Sequence, residues 1–288
     1  MDYRIVWVHG IGEHHPGYSA TWEHAFNEYL DLPHDDYVEV CWDTVFTGAR
    51  ALPGARAGAG TRALDLPLTP GQQLAEAEVR EELTTILQAR ASALAQPPPG
   101  TRAAPRGVVE WSALRQQPPG ARGWLPDWLA HPDAYLGDFT KYLVSRPIRT
   151  AVKEAAKEQL RPLAGGGYTI AVIAHSWGTV VAYDSLLDLE TELPGLRVGG
   201  LFTLGSPLWL VRRLLDDPSG RKPGGVADWV NVHARGDLVG SWLKPAYRDD
   251  QDYEVPTRGD DAHGSYFVEG NVEVQRDIVA RAILAPSG

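Results

Sequence analysis

Tyr168–Thr179 reads Y-T-I-A-V-I-A-H-S-W-G-T. A run of mostly β-favouring apolar residues enters Ala174-His175-Ser176-Trp177-Gly178, and a segment of helical spacing follows with Val180, Tyr183, Leu186 and Leu187 as its stripe. This is the pattern of a strand, a sharp turn and a helix, with a serine at the apex. Such a turn holds the serine in a strained backbone conformation, exposes its hydroxyl, and leaves backbone N–H groups at the opening of a helix. Strand and helix pass close together there, so small residues are needed two before and two after the serine. Gly178 and Ala174 occupy those positions. Ser176 is therefore a candidate nucleophile. A small-x-Ser-x-Gly pattern also occurs at ordinary turns, so the reading depends on whether partners stand in the right places.

The flanking chain alternates strands and helices. Arg4–Val8 (R-I-V-W-V) is a short apolar strand ending at His9-Gly10-Ile11-Gly12, and Trp22, Phe26, Tyr29 and Leu30 give Thr21–Leu30 helical spacing. Tyr37–Trp42 predicts a second strand. After a compositionally different stretch, Ile148, Ala151, Val152, Ala155 and Leu160 predict a helix that precedes Gly165-Gly166-Gly167 and the serine-bearing strand. Strands are expected at Val198–Leu204 and Asp228–His233, a helix around Trp209–Leu215, and a closing helix from about Val272 to Leu284. Strands separated by helices imply an α/β fold with a mostly parallel sheet covered on both faces. In such sheets the working groups gather at the C-terminal ends of the strands.

The different stretch runs from about Phe46 to Arg146 and is rich in Ala, Gly, Pro and Arg. Within it, Thr69-Pro70-Gly71-Gln72 reads as an N-cap, a first-position proline and a capping glutamine. Val79, Leu83, Ile86, Leu87 and Leu94 continue as an apolar stripe as far as Pro97, and an irregular aromatic segment with Trp111, Trp124, Leu125, Trp128 and Tyr135 follows. Breakers around an amphipathic helix and a tryptophan-rich segment suit a cap or lid over an apolar pocket. The expected organisation is one domain over residues 1–288 with this insertion at 46–146.

A serine hydroxyl is barely ionised at neutral pH and needs a base, and the base needs an acid to fix its tautomer. Asp237 lies just past the predicted strand that ends V-N-V-H, and His263 lies in the polar loop before the last helix. The order Ser176, Asp237, His263 is one of the known triad orders. Asp216, Asp217, Asp249, Asp250 and Asp252 are the rival acids, while His175 and His233 sit in or beside strands and suit packing or hydrogen bonding. An oxyanion hole needs two backbone N–H groups, expected from Trp177 and from Ile11 in the His9-Gly10-Ile11-Gly12 loop. The residues expected to border a substrate are His9, Gly10, His14 and His175, with Trp124 and Trp128 from the insertion. His9, Glu13, His14, His15 and His24 form a cluster of metal-type ligands, but their spacing matches no tight ligand motif, and no metal or other cofactor is expected.

Val8-His9-Gly10-Ile11-Gly12, Ala174–Gly178, Thr203–Leu208 (T-L-G-S-P-L) and His263–Tyr266 (H-G-S-Y) together resemble the α/β-hydrolase superfamily in its lipase and esterase branch, near the deacylase-like and lecithin–cholesterol acyltransferase-like groups. The resemblance covers about residues 4–45 and 147–285. It implies an α/β-hydrolase fold with an inserted cap, trimmed at its N-terminal edge, and Ala174 departs from the usual first glycine of the serine motif.

Bulk properties bound the rest. With 43% hydrophobic and 22% charged residues the chain can bury a sizeable core, and a formal net charge of −10 argues against a partner held by nucleic-acid phosphates. Cys41 is the only cysteine, which excludes an internal disulfide, and its place in a predicted strand suggests a buried structural thiol. No signal-peptide pattern or bilayer-length apolar run is visible, so a cytoplasmic location is expected. The reading that follows is a serine carboxylic-ester hydrolase for esters with an apolar acyl or aryl group, whose partner is a small-molecule or lipid ester. A lipase, phospholipase or thioesterase with the same triad, and a catalytically silent interaction module, are the alternatives.

Overall fold

Ile5, Val6, Trp7 and Val8 are all fully buried, although consecutive strand residues point to opposite faces. A strand with no wet face must lie inside a covered parallel sheet. The computed structural model describes residues 3–11, 14–47, 67–94 and 132–285 and shows that sheet. In chain order it contains β1 (Tyr3–Val8), α1 (Ala20–Leu30), β2 (Tyr37–Val40), α2 (Thr44–Thr47), α3 (Pro70–Leu94), α4 (Pro132–Val144) and α5 (Arg146–Leu160). Then come β3 (Thr169–His175), α6 (Gly178–Glu192), β4 (Val198–Leu204), α7 (Leu208–Val211), β5 (Val226–Ala234), β6 (Gln251–Val255), wide π-type turns over Glu273–Ala280, and α8 (Arg281–Leu284).

The six strands run in the order β2-β1-β3-β4-β5-β6, every neighbouring pair parallel. Residue alternation sorts the core into two layers. Val6, Val8, Ile170, Val172 and Ala174 face the layer built with α3, α4, α5 and α6, while Ile5, Trp7, Ala171 and Ile173 face α1 and the C-terminal helical turns. The fold class is therefore α/β with helices on both faces. Among the described residues no helix is long and apolar enough to cross a membrane.

Expectation and structure differ at particular places. β2 stops at Val40, so Cys41 lies just past the strand and half-buried, where burial still pushes its thiol up to about 12. The helical capping box is realised, with the Thr69 amide donating to Gln72 Oε1 at 2.9 Å and the Gln72 amide to Thr69 Oγ1 at 3.3 Å. Tyr135, expected in an irregular segment, belongs to α4. Leu136, Phe139, Tyr142 and Leu143 of α4 join Leu83 and Leu87 of α3 in the main core. These described helices of the 46–146 stretch thus share the sheet's own core. Trp111, Trp124 and Trp128 lie outside the described residues. The Asp249–Asp252 cluster leads into β6, an edge strand that was not expected.

Asp249 is buried, and among the described residues its carboxylate oxygens meet no hydrogen-bond partner. Burial, reinforced by the negative charge of Asp252, pushes its carboxyl up to about 6. A folded-state pKa above the unfolded value means that the folded chain binds the extra proton, so stability falls as pH rises from about 4 through about 6. Asp249→Asn removes that titration. Relative to the parent, the variant is expected to gain about 2 kcal/mol of unfolding free energy between pH 4.5 and 7.5, measured by urea denaturation. A constant difference across that range would show that Asp249 titrates normally.

Candidate active site

β3 ends at His175, α6 begins at Gly178, and Ser176 between them has φ 53°, the left-handed region that non-glycine residues avoid. Three hydrogen bonds hold it there. The Ser176 amide donates to Leu204 O at 3.0 Å, while its carbonyl accepts from the Thr179 amide at 3.0 Å and from Thr179 Oγ1 at 2.7 Å. A Cβ on Gly178 would lie 2.1 Å from His9 O and 2.6 Å from Val8 O, so no other residue fits beneath the end of β1. A Cβ on Gly10 would lie 2.8 Å from Ser176 Cβ and 3.3 Å from Ser176 Oγ. The loop after β1 thus runs directly against the serine.

The site sits where strand order reverses. The chain enters the sheet at β1, moves outward to β2, then returns to β3 on the other side of β1. Crevices in open parallel sheets form at such a switch point, outside the C-terminal strand ends. Val8 pairs in register with Ala174, which brings His9-Gly10 and His175-Ser176 side by side.

Asp237 follows β5 and is fully buried. Its Oδ1 accepts from the amides of Val239 (2.8 Å) and Gly240 (2.9 Å), and Tyr266 donates its hydroxyl to Oδ2. His263 Nδ1 lies 3.0 and 3.1 Å from the two carboxylate oxygens. An ionised carboxylate only accepts, so Nδ1 carries the proton and Nε2 is the basic nitrogen. Burial alone raises this carboxyl's pKa, but the adjacent His263 and the converging donors overcome it and hold Asp237 well below the usual carboxylate range. Tyr266 is pushed the other way, by burial and by the Asp237 charge, and remains a donor. Gly205 packs between them: with φ 63°, a Cβ there would be 3.0 Å from Asp237 Oδ2 and 3.1 Å from His263 Cε1.

Four of the five rival acids are engaged elsewhere, and the Asp249 carboxylate is buried with no hydrogen-bond partner among the described residues. Asp216 pairs with Arg149, Asp217 with Arg221 and Asp250 with Lys222, while Asp252 accepts from Asn231 and from the amides of Leu243 and Lys244. Of the carboxylates weighed from sequence, Asp237 is the one the structure brings to His263. His175 touches the site as a support. Its Nε2 donates to His263 O at 2.8 Å, the two rings are 4.6 Å apart, and burial pulls its pKa down to about 3, so the ring is neutral. His233 packs on Trp242 and takes no part.

Other expectations are corrected or refined. The His9 side chain is fully buried and stacked between Trp42 and His14, so it cannot wall an open pocket; its contribution is the carbonyl against Gly178. The Trp177 indole is buried under Phe139, with ring centroids 3.7 Å apart, and the residue comes ahead of the first amides bonded within α6. Ile11 is partly buried against the core at the end of the described loop. Two residues escaped sequence reading. Tyr266 stands in the quoted H-G-S-Y segment, but its bond to Asp237 needs the folded loop. Arg90 of α3 donates to Asp237 O (3.1 Å), Gly240 O (2.7 Å) and Ser241 Oγ (3.0 Å) across some 150 residues of chain, for which no local signal exists.

No protein-family model matches the chain, and no curated protein matches it. A solved structure of an uncharacterized protein from Pseudomonas aeruginosa is similar to it at 11% identity with a TM-score of 0.35, over 98% of this chain and 46% of that one. The chain thus spans about half the length of that protein, and a likeness of this degree carries no argument about activity.

Gly178→Ala tests the packing that places Ser176. The added methyl meets the end of β1 at 2.1 Å, and overpacking of this kind costs about 1–3 kcal/mol or more. Chemical denaturation is expected to show a loss of at least ~1 kcal/mol, against the gain that alanine brings in an open helix. Equal or higher stability would mean that strand and helix do not meet this closely.

Proposed function

We propose that the chain is a serine carboxylic-ester hydrolase with an α/β-hydrolase-type arrangement. The observation that carries this reading is the buried His263–Asp237 pair, tied through the His263 carbonyl to His175, the residue that precedes a serine held at positive φ. Each part has a defined chemical task. Asp237, ionised and fully hydrogen-bonded, fixes the His263 tautomer and offsets the charge of the imidazolium formed during reaction. His263 Nε2 takes the Ser176 proton as Oγ attacks the acyl carbonyl, then passes it to the departing alkoxide. The amides of Trp177 and Ile11 receive the negative oxygen of the tetrahedral intermediate. Water deprotonated by His263 releases the acyl group and restores the serine.

His175 and Arg90 each support one member of the pair. His175 holds the His263 backbone, and Arg90 ties the Asp237 loop to α3. A thioester or a lipid acyl group presents the same carbonyl to the same machinery, so the leaving group is a matter for measurement.

The test is hydrolysis of p-nitrophenyl esters from acetate to palmitate, with fluorophosphonate labelling alongside. The parent is expected to turn over and to be labelled at Ser176. Ser176→Ala and His263→Ala are expected to lose at least about a thousandfold in kcat while remaining folded by circular dichroism. Neither turnover nor labelling, from folded parent protein, would overturn the hydrolase reading and favour the interaction module.

A further inference from the structure

His9, behind the loop that touches Ser176, poses an electrostatic problem. Its Nδ1 lies 2.7 Å from Gly10 O, an atom that can only accept, so Nδ1 carries the ring proton. In the neutral ring Nε2 is then a bare lone pair. Yet Nε2 points at a carboxylate oxygen, Asp43 Oδ1, 3.3 Å away. Both atoms are buried, and among the described residues neither meets a hydrogen-bond partner. A lone pair and an anion facing each other in a dry site call for a positive charge near both.

The third group is His14. Its Nδ1 lies 3.4 Å from Asp43 Oδ2, and its own amide donates to that oxygen at 2.6 Å. One ligand atom from each of His9, His14 and Asp43 falls within 4.8 Å of the others. Metal–ligand lengths of about 2.0–2.2 Å, as zinc requires, set neighbouring ligands about 3.3 Å apart around a tetrahedral centre. His9 Nε2 lies at about that spacing from Asp43 Oδ1, and His14 Nδ1 from the other carboxylate oxygen, Oδ2.

We propose that His9 Nε2, His14 Nδ1 and the Asp43 carboxylate form a three-ligand site for a divalent transition-metal ion of the zinc class. Two imidazoles and a carboxylate are a donor set that such ions favour, with the remaining position left to water. The surroundings have the features of a built site. The Gly10 carbonyl fixes the His9 tautomer, as the outer partner of a metal-bound histidine does, and the Trp42 and Tyr18 rings wall the cluster. His14 stacks on His9 with ring centroids 3.8 Å apart, and loading requires the half-buried His14 ring to turn out of that stack. The ion would join the loop after β1 to the end of β2. Its place is structural, one residue from the Gly10 contact with Ser176. The site stands independently of the hydrolase reading.

Zinc chloride alone is the probe. Chelator-stripped parent protein is incubated with zinc, desalted by gel filtration and assayed for metal by mass spectrometry, and its thermal midpoint is followed against zinc concentration. The expected result is about one zinc per chain and a midpoint that rises with zinc, as linkage requires. His14→Ala and Asp43→Asn are expected to weaken uptake by at least about tenfold. His24→Ala, which removes an exposed histidine on α1, is expected to bind as the parent does. His14 is only partly buried, so His14→Ala keeps the test valid if Asp43→Asn fails to fold. A parent that retains no zinc and shows no zinc-dependent midpoint, or a folded His14→Ala that binds as well as the parent, overturns the proposal.

Discussion

The C-terminal edge of the sheet depends on one close approach, the carbonyl of His9 against the α-carbon of Gly178. Because the chain reverses its direction of travel across the sheet between β2 and β3, the end of β1 and the start of α6 must share the same space. Only a residue without a side chain allows that. Once β1 is seated there, Gly10 is brought onto Ser176 and the serine turn is closed from above. A left-handed residue costs roughly 1–2 kcal/mol, and Ser176 keeps it because the Leu204 carbonyl and Thr179 hold both of its peptide groups. The strained turn follows from sheet topology as much as from the five-residue motif.

The second constraint is the burial of charge. Asp237 is taken out of water, which costs several kcal/mol unless it is fully paired. Two amides from the turn after β5, and an imidazole and a tyrosine hydroxyl from the 263–266 segment, answer that cost. Gly240 must be a glycine for the same reason, since a Cβ would fall 2.6 Å from Asp237 Oδ2. On α5 the problem is solved by charge pairing. Arg149, Lys153 and Lys157 are buried at successive turns of that helix, and Asp216, Asp188 and Glu192 meet them across the layer facing α6.

What could be read in advance follows from how local each signal is. β1, β3, β4 and β5 are apolar runs buried on both faces, and such runs announce themselves. The Thr69–Gln72 box is a four-residue signal and was equally legible. β6 was not, because Q-D-Y-E-V is an edge strand whose only buried residue is Val255, and its acids look like a solvated loop. In α4 the buried stripe of Leu136, Phe139 and Tyr142 sits directly after a tryptophan-rich stretch, which hid its helical period. The places of Ser176, Asp237 and His263 at strand ends and in the late loop were legible from the apolar runs and the chain order. Tyr266 and Arg90 were not, because their contacts with the acid loop are made only when distant segments fold together. Asp43 was missed for a lateral reason: its approach to His9 needs β2 to pair beside β1.

Among the described residues, the buried pairs His263–Asp237 and His9–Asp43 are wired in opposite senses. In His263–Asp237 the protonated nitrogen faces the carboxylate, and the carboxylate has further donors of its own. That wiring leaves Nε2 basic and keeps the charge on Asp237 satisfied whether the ring is neutral or protonated, which suits a pair that moves a proton. In His9–Asp43 the protonated nitrogen is committed to the Gly10 carbonyl, so the basic nitrogen faces the carboxylate instead. That wiring is satisfied only by a cation between the two, whether a proton on Nε2 or a metal ion. His14 Nδ1 stands beside the carboxylate as a further donor atom for a metal. The same two residue types are thus set for different work by which ring nitrogen the backbone has already claimed.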